Sequence, residues 1–148
     1  VARLEEVYRP YYLAHSMDRT GPYEGILDLL RALRVRGIRT AVVSNKPHAA
    51  VRQLAADCFE NLFGAAIGEQ AGMERKPAPD MTMAALRDLG VSPGEAVYLG
   101  DTEIDIESAA NAGMECICVS WGFRPRSLLE TFRPLRIIDA PEELLAMF

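Results

Sequence analysis

Three short runs hold residues whose types and spacing are suited to chemistry. The first is Leu99-Gly100-Asp101-Thr102-Glu103-Ile104-Asp105, where an apolar stretch ends in Gly-Asp and a second aspartate follows four residues on. Hard divalent cations such as Mg²⁺ take oxygen ligands and keep several waters. Asp101 is therefore a candidate direct ligand, with Asp105 placed to orient a bound water or a lysine. The second run is Arg75-Lys76-Pro77-Ala78-Pro79-Asp80, in which two prolines stiffen a loop around a lysine. A lysine held this way offers a point charge to a phosphate. In the third, Val42-Val43-Ser44-Asn45-Lys46-Pro47, a hydroxyl and an amide follow an apolar run and precede a helix N-terminus, where free N–H groups favour an anion. Each run also has a plainer reading: Ser44 or Asn45 as a helix cap, Lys76 as a solvated charge, and Asp101 and Asp105 as acids favoured at a helix start.

The elements around these runs alternate regularly. The opening stretch, Val1 to Met17, spaces Leu4, Val7, Tyr8, Tyr11, Tyr12 and His15 mostly by threes and fours, which predicts an amphipathic helix interrupted near Pro10. Thr20-Gly21-Pro22 then breaks the chain. Helices are predicted over 23–36, 47–58, 80–89, 104–112, 126–132 and 141–147, with Asp80 as a cap and Gly37 and Gly113 as stops. Strands are predicted over 38–43, 65–68, 96–99, 115–119 and 136–138. Such alternation implies right-handed crossovers and a parallel sheet covered by helices on both faces. Ligands of such sheets sit beyond the carboxyl ends of the strands, which is where Ser44, Asn45 and Asp101 fall.

The composition sets outer bounds. The chain has 148 residues, 49% hydrophobic and 25% charged, as expected for one globular unit. With 16 basic and 21 acidic residues its net charge is −5, which argues against a nucleic-acid partner. No run of 18 apolar residues suggests a membrane span. The three cysteines, Cys58, Cys116 and Cys118, have no disulfide-framework spacing. They read as reduced thiols, Cys116 and Cys118 as buried strand residues, and the expected location is cytoplasmic.

Taken together and in order, the three runs resemble the signature of the haloacid dehalogenase superfamily, and most closely its phosphoglycolate phosphatase branch. VVSNKP is similar to the second motif of that family, KPAPD to the third and GDTEID to the fourth. The phrase PYEGILDLLRALRVRGIRTAVVSNKP is particularly like that branch. The resemblance implies a Rossmann-like α/β core over 21–148, with residues 1–20 a remnant of a helical cap. It implies Mg²⁺-dependent hydrolysis of small phosphomonoesters such as 2-phosphoglycolate through a phospho-aspartate. Ser44 and Asn45 would bind the transferring phosphoryl group, Lys76 would neutralise it, and Asp101 would bind Mg²⁺ with Asp105 beside it.

One motif of the family has no counterpart. The Asp-x-Asp-x-Thr run that supplies the nucleophile and the general acid does not occur, and Asp18-Arg19-Thr20 follows a helical pattern, not an apolar strand. The expectation is an N-terminally incomplete chain that is inactive alone. The other reading is a non-catalytic phosphate- and metal-binding module. The resemblance places the missing strand at the centre of the sheet, between the strands ending at Ser44 and Asp101. Two rows of unpaired backbone groups are costly if buried. The sheet is therefore expected to rearrange and close the gap, to borrow a strand from a partner such as a second copy, or to accept a separate fragment. His15 and His48 are candidate bases whose plainer reading is structural or exposed; Trp121, Phe123 and Arg124 follow a strand and are candidates to border the site, with packing the plainer reading and Arg124 a solvated charge.

Overall fold

The computed structural model describes residues 6–8 and 22–148. Among these described residues six parallel strands lie in the order β3-β2-β1-β4-β5-β6. They are β1 (Glu6–Tyr8), β2 (Ala41–Pro47), β3 (Ala65–Glu69), β4 (Val97–Gly100), β5 (Glu115–Val119) and β6 (Arg136–Ile138). The helices are α1 (Ile26–Val35), α2 (His48–Phe59), α3 (Asp80–Leu89), α4 (Glu103–Asn111), α5 (Arg126–Thr131) and α6 (Glu142–Leu145). The reversal of strand order falls at β1 and β4, the type of position where open α/β sheets bind ligands.

The strands are buried on both faces, so they read as continuous apolar runs, and alternate residues feed two separate cores. Ala41, Val43, Tyr98, Cys116 and Cys118 point to one face and pack with Met81, Ala85 and Leu89 of α3 and Ala109 of α4. Val97, Leu99, Ile117, Val119 and Ile138 point to the other and pack with Ile26, Leu30 and Leu33 of α1 and Leu144 of α6. The helix stops expected at Gly37 and Gly113 are present, both at positive φ.

Three expectations are corrected. The helix expected over residues 1–17 is a strand at Glu6–Tyr8, because that segment lies between β2 and β4, with Val7 opposite Ala41 and Tyr98. The remainder of that predicted helix, with His15 and the boundary near residue 20, lies outside the described residues. Of the three ways to fill the centre of the sheet, the structure shows the chain closing it with its own residues. The second correction is the end of β2, which runs past Ser44 to Pro47. A bulge makes this possible: four steps from Val43 to Pro47 on β2 match two from Ile67 to Glu69 on β3. The third is Asp80, which lies inside the first turn of α3 after Pro79, and its carboxylate instead accepts the Glu74 N–H at 3.1 Å.

Candidate active site

The bulge at the end of β2 decides what Ser44 and Asn45 do. Neither caps α2, which has Pro47 at its N-cap position and no side-chain cap. Ser44 is 2% exposed, and its Oγ accepts the Lys46 N–H at 3.2 Å. Asn45 reaches across to the proline-stiffened loop, where its Oδ1 accepts the Lys76 backbone N–H at 2.9 Å. His48 braces the bulge from behind, its Nδ1 accepting the Gly68 N–H at 3.1 Å; this acceptor role requires a neutral ring at Nδ1. His48 is therefore structural, as expected.

Lys76 is buried, and its loop contains a cis Lys76–Pro77 peptide. Its Nζ donates to Asp105 Oδ1 at 2.8 Å, and both side chains are fully inaccessible. A buried charge survives only when paired and hydrogen-bonded. Tyr98 contributes to that pairing: its hydroxyl accepts from Lys76 Nζ at 3.3 Å and donates to Asp105 Oδ1 at 3.4 Å. The second oxygen of Asp105 accepts the Asp101 N–H and the Thr102 hydroxyl, each at 3.1 Å. Thr102 caps α4 by accepting the Asp105 N–H. One carboxylate thus ties together the lysine, the strand end and the helix start.

Asp101 is 1% exposed at the end of β4. Its Oδ2 accepts the Phe123 N–H at 2.9 Å, which comes from the loop after β5. That approach needs glycine at 122, where a Cβ would stand 2.0 Å from Oδ2. Gly100 is required in the same way, since a Cβ there would meet Asp105 Cβ at 2.2 Å. Arg124, expected to be a solvated charge, instead forks onto Glu103, with Nε and Nη2 each 2.8 Å from a carboxylate oxygen. The guanidinium holds the Glu103 carboxyl far below the usual range, at about 2.

The donor chemistry fits a hard divalent cation. Asp101 is a buried carboxylate beside a second one, in a cradle that a Cβ at position 122 would fill. Among the described residues no group of three or more His, Cys, Asp or Glu side chains converges as a ready-made metal cage. Mg²⁺ does not need one, since it is held by one or two carboxylates together with water and phosphate oxygens.

The structure therefore brings all five expected residues, Ser44, Asn45, Lys76, Asp101 and Asp105, to the carboxyl ends of β2 and β4 and the loop between them in space. Sequence reasoning missed Tyr98. The signal available was its place in β4, one strand period from Gly100 and on the same face. The hydrogen bond with Cys118 and burial hold the Cys116 thiol well above its usual range. A cavity of about 710 Å³ opens to one side, lined by Tyr23, Leu29, Trp121 and Leu145 among others. Burial, and to a lesser extent the Asp101 carboxylate, raise the Tyr23 hydroxyl above its usual pKa.

Comparison with known proteins matches residues 2–119 to the model of the haloacid dehalogenase-like hydrolases. A phosphoglycolate phosphatase of Pseudomonas putida is 30% identical over 133 residues, covering 89% of this chain and 49% of that protein. The pyrophosphatase PpaX of Bacillus cereus is 28% identical over 148 residues, covering 97% of this chain and 68% of that protein. The crystal structure of CbbY from Rhodobacter sphaeroides in complex with phosphate is 33% identical, with a TM-score of 0.68, and covers 82% of this chain and 55% of that one. The chain spans about half the length of the phosphoglycolate phosphatases it matches.

Proposed function

The chain belongs to the haloacid dehalogenase-like hydrolases, and on that footing we propose that it carries the phosphate- and Mg²⁺-holding part of a phosphatase for small phosphomonoesters. The observation that supports this most is the fully buried Lys76–Asp105 pair beside Asp101, at the carboxyl ends of β2 and β4. A paired lysine without solvent access is a poor surface charge but a well-oriented counter-charge for an anion at the strand ends.

In this reading Ser44 and Asn45 bind phosphoryl oxygens, and Lys76 offsets their charge while Asp105 and Tyr98 hold its ammonium in place. Asp101 would hold Mg²⁺, with Asp105 beside it. When bound, Mg²⁺ supplies positive charge against the phosphoryl group and the leaving oxygen. The nucleophilic carboxylate belongs to a segment with the Asp-x-Asp-x-Thr run, which this sequence lacks. The chain alone is therefore expected to bind without turning over. The same absence favours a second reading, a module that binds phosphate and metal and never hydrolyses.

2-Phosphoglycolate is the first substrate to test, because one relative is a phosphoglycolate phosphatase; inorganic pyrophosphate is the second, because another is a pyrophosphatase. The decisive assay measures Mg²⁺-dependent phosphate release by this chain and by a version extended upstream. Release is expected only from the extended version, and is expected to vanish there with Asp101→Ala or Lys76→Ala. Robust turnover by the 148-residue chain would overturn the claim that its nucleophile lies elsewhere. An extended version that binds phosphate without releasing it from any ester favours the binding module.

A further inference from the structure

The loop after β5 is fastened at both ends. Ser120 N–H donates to the Ile138 carbonyl at 3.0 Å, and Ser120 Oγ donates to Asp139 at 2.6 Å. On the far side Leu129 of α5 is fully buried. Between these anchors residues 122–124 lie along residues 101–103. Gly122 permits the contact, Phe123 N–H bonds the Asp101 carboxylate, and Arg124 forks onto Glu103. The two contacts are thus offset by two residues on the strand-end turn and by one on the loop.

We propose that Glu103 and Arg124 are positioning residues: their fork clamps the 122–124 segment onto the β4–α4 turn, so that Phe123 N–H fixes the rotation of the Asp101 carboxylate and sets its affinity for a hard divalent cation. The proposal rests on Asp101 being the cation ligand. It differs from a merely structural ion pair in where its effect falls. An exposed pair stabilises little, and both side chains are 40% exposed, so its loss leaves the fold intact. The backbone donor to Asp101, however, is adjacent to Arg124. A carboxylate oxygen held by an N–H group keeps one orientation, and a ligand already oriented loses less freedom when the cation arrives. The planar fork also matters, because a lysine can supply the charge but not two parallel hydrogen bonds.

The test compares the parent chain with Arg124→Met, Arg124→Lys, Glu103→Gln and the charge swap Glu103→Arg/Arg124→Glu. Mg²⁺ affinity is measured by titration calorimetry, and hydrogen exchange of the Phe123 amide is measured without metal. The fork's worth of up to about 1 kcal/mol corresponds to roughly a fivefold change in affinity. Arg124→Met and Glu103→Gln are therefore expected to weaken Mg²⁺ binding by about two- to fivefold and to speed Phe123 exchange while keeping parental circular dichroism. Arg124→Lys should fall between, and the swap should recover part of both losses. Unchanged affinity and unchanged Phe123 exchange in folded variants would overturn the clamp. If the site reading itself fails, the outcome is different: the parent takes up no Mg²⁺, Asp101→Asn changes nothing, and the proposal falls with it.

Discussion

Asn45 and Lys76 are joined in both directions: Asn45 Oδ1 accepts the Lys76 N–H at 2.9 Å, and Asn45 Nδ2 donates to the Lys76 carbonyl at 3.5 Å. Two runs separated by 31 positions are thus tied by the Asn45 side chain to the Lys76 backbone, and the lysine side chain leaves the loop from a fixed point. The longer bond is the weaker, so the acceptor role of Asn45 dominates. Asn45→Ala would strand a partly buried N–H, at a cost of about 1–3 kcal/mol. Urea denaturation is expected to show that loss. Asn45→Asp keeps the acceptor and should retain most of the stability, so equal losses in both variants would refute the assignment.

The Lys76–Asp105 pair invites a double-mutant cycle. Removing one partner leaves the other charge buried and uncompensated, which costs about 3–5 kcal/mol. Lys76→Met and Asp105→Leu are each expected to lose stability on that scale. The double variant should lose clearly less than the sum, because no orphaned charge remains. Additive losses would show that the two side chains do not depend on one another. Tyr98 retains a hydroxyl in the double variant and limits the recovery.

Glu103 provides a pH signature. Its carboxyl lies at about 2 in the folded chain, below the ordinary 4.5, chiefly because Arg124 bonds the ionised form. A depressed folded value means that the stabilisation is present above the unfolded pKa and is lost as pH falls through the folded one. The stability difference between parent and Arg124→Met should therefore be constant above about pH 5. It should shrink between the ordinary value and about 2. The effect is small because the pair is half exposed to water. Guanidinium is unsuitable here because it screens charge, so urea melts at stepped pH are the proper measurement. A difference that grows on acidification would contradict the ion pair.

Much of the architecture was legible because its signals are local. Alternating apolar runs, prolines and glycine stops placed α3, β5 and β6 at their observed bounds, and the other elements they predict after residue 22 within a few residues. The end of β2 was not legible. A strand that continues through Ser-Asn-Lys-Pro does so because β3 offers a partner across a bulge, and pairing partners are not written in the run itself. Glu6–Tyr8 was misread for a related reason. Its spacing suits a helix, but an open slot between β2 and β4 offers backbone hydrogen bonds on two sides, and tertiary context overrides a weak local pattern.

The sequence by itself determined which residues meet. Ser44, Asn45, Lys76, Asp101 and Asp105 had to converge, since a parallel sheet sends all its carboxyl ends to one edge. Only the tertiary structure decided how they divide the work. Asp105 has its oxygens committed to Lys76, Tyr98, Thr102 and a backbone N–H, whereas Asp101 is steered by a loop from beyond β5. Hydrogen-bond direction and burial depend on groups brought together from distant parts of the chain. The spacing of two aspartates therefore predicts their neighbourhood, and the packing around each sets its part in it.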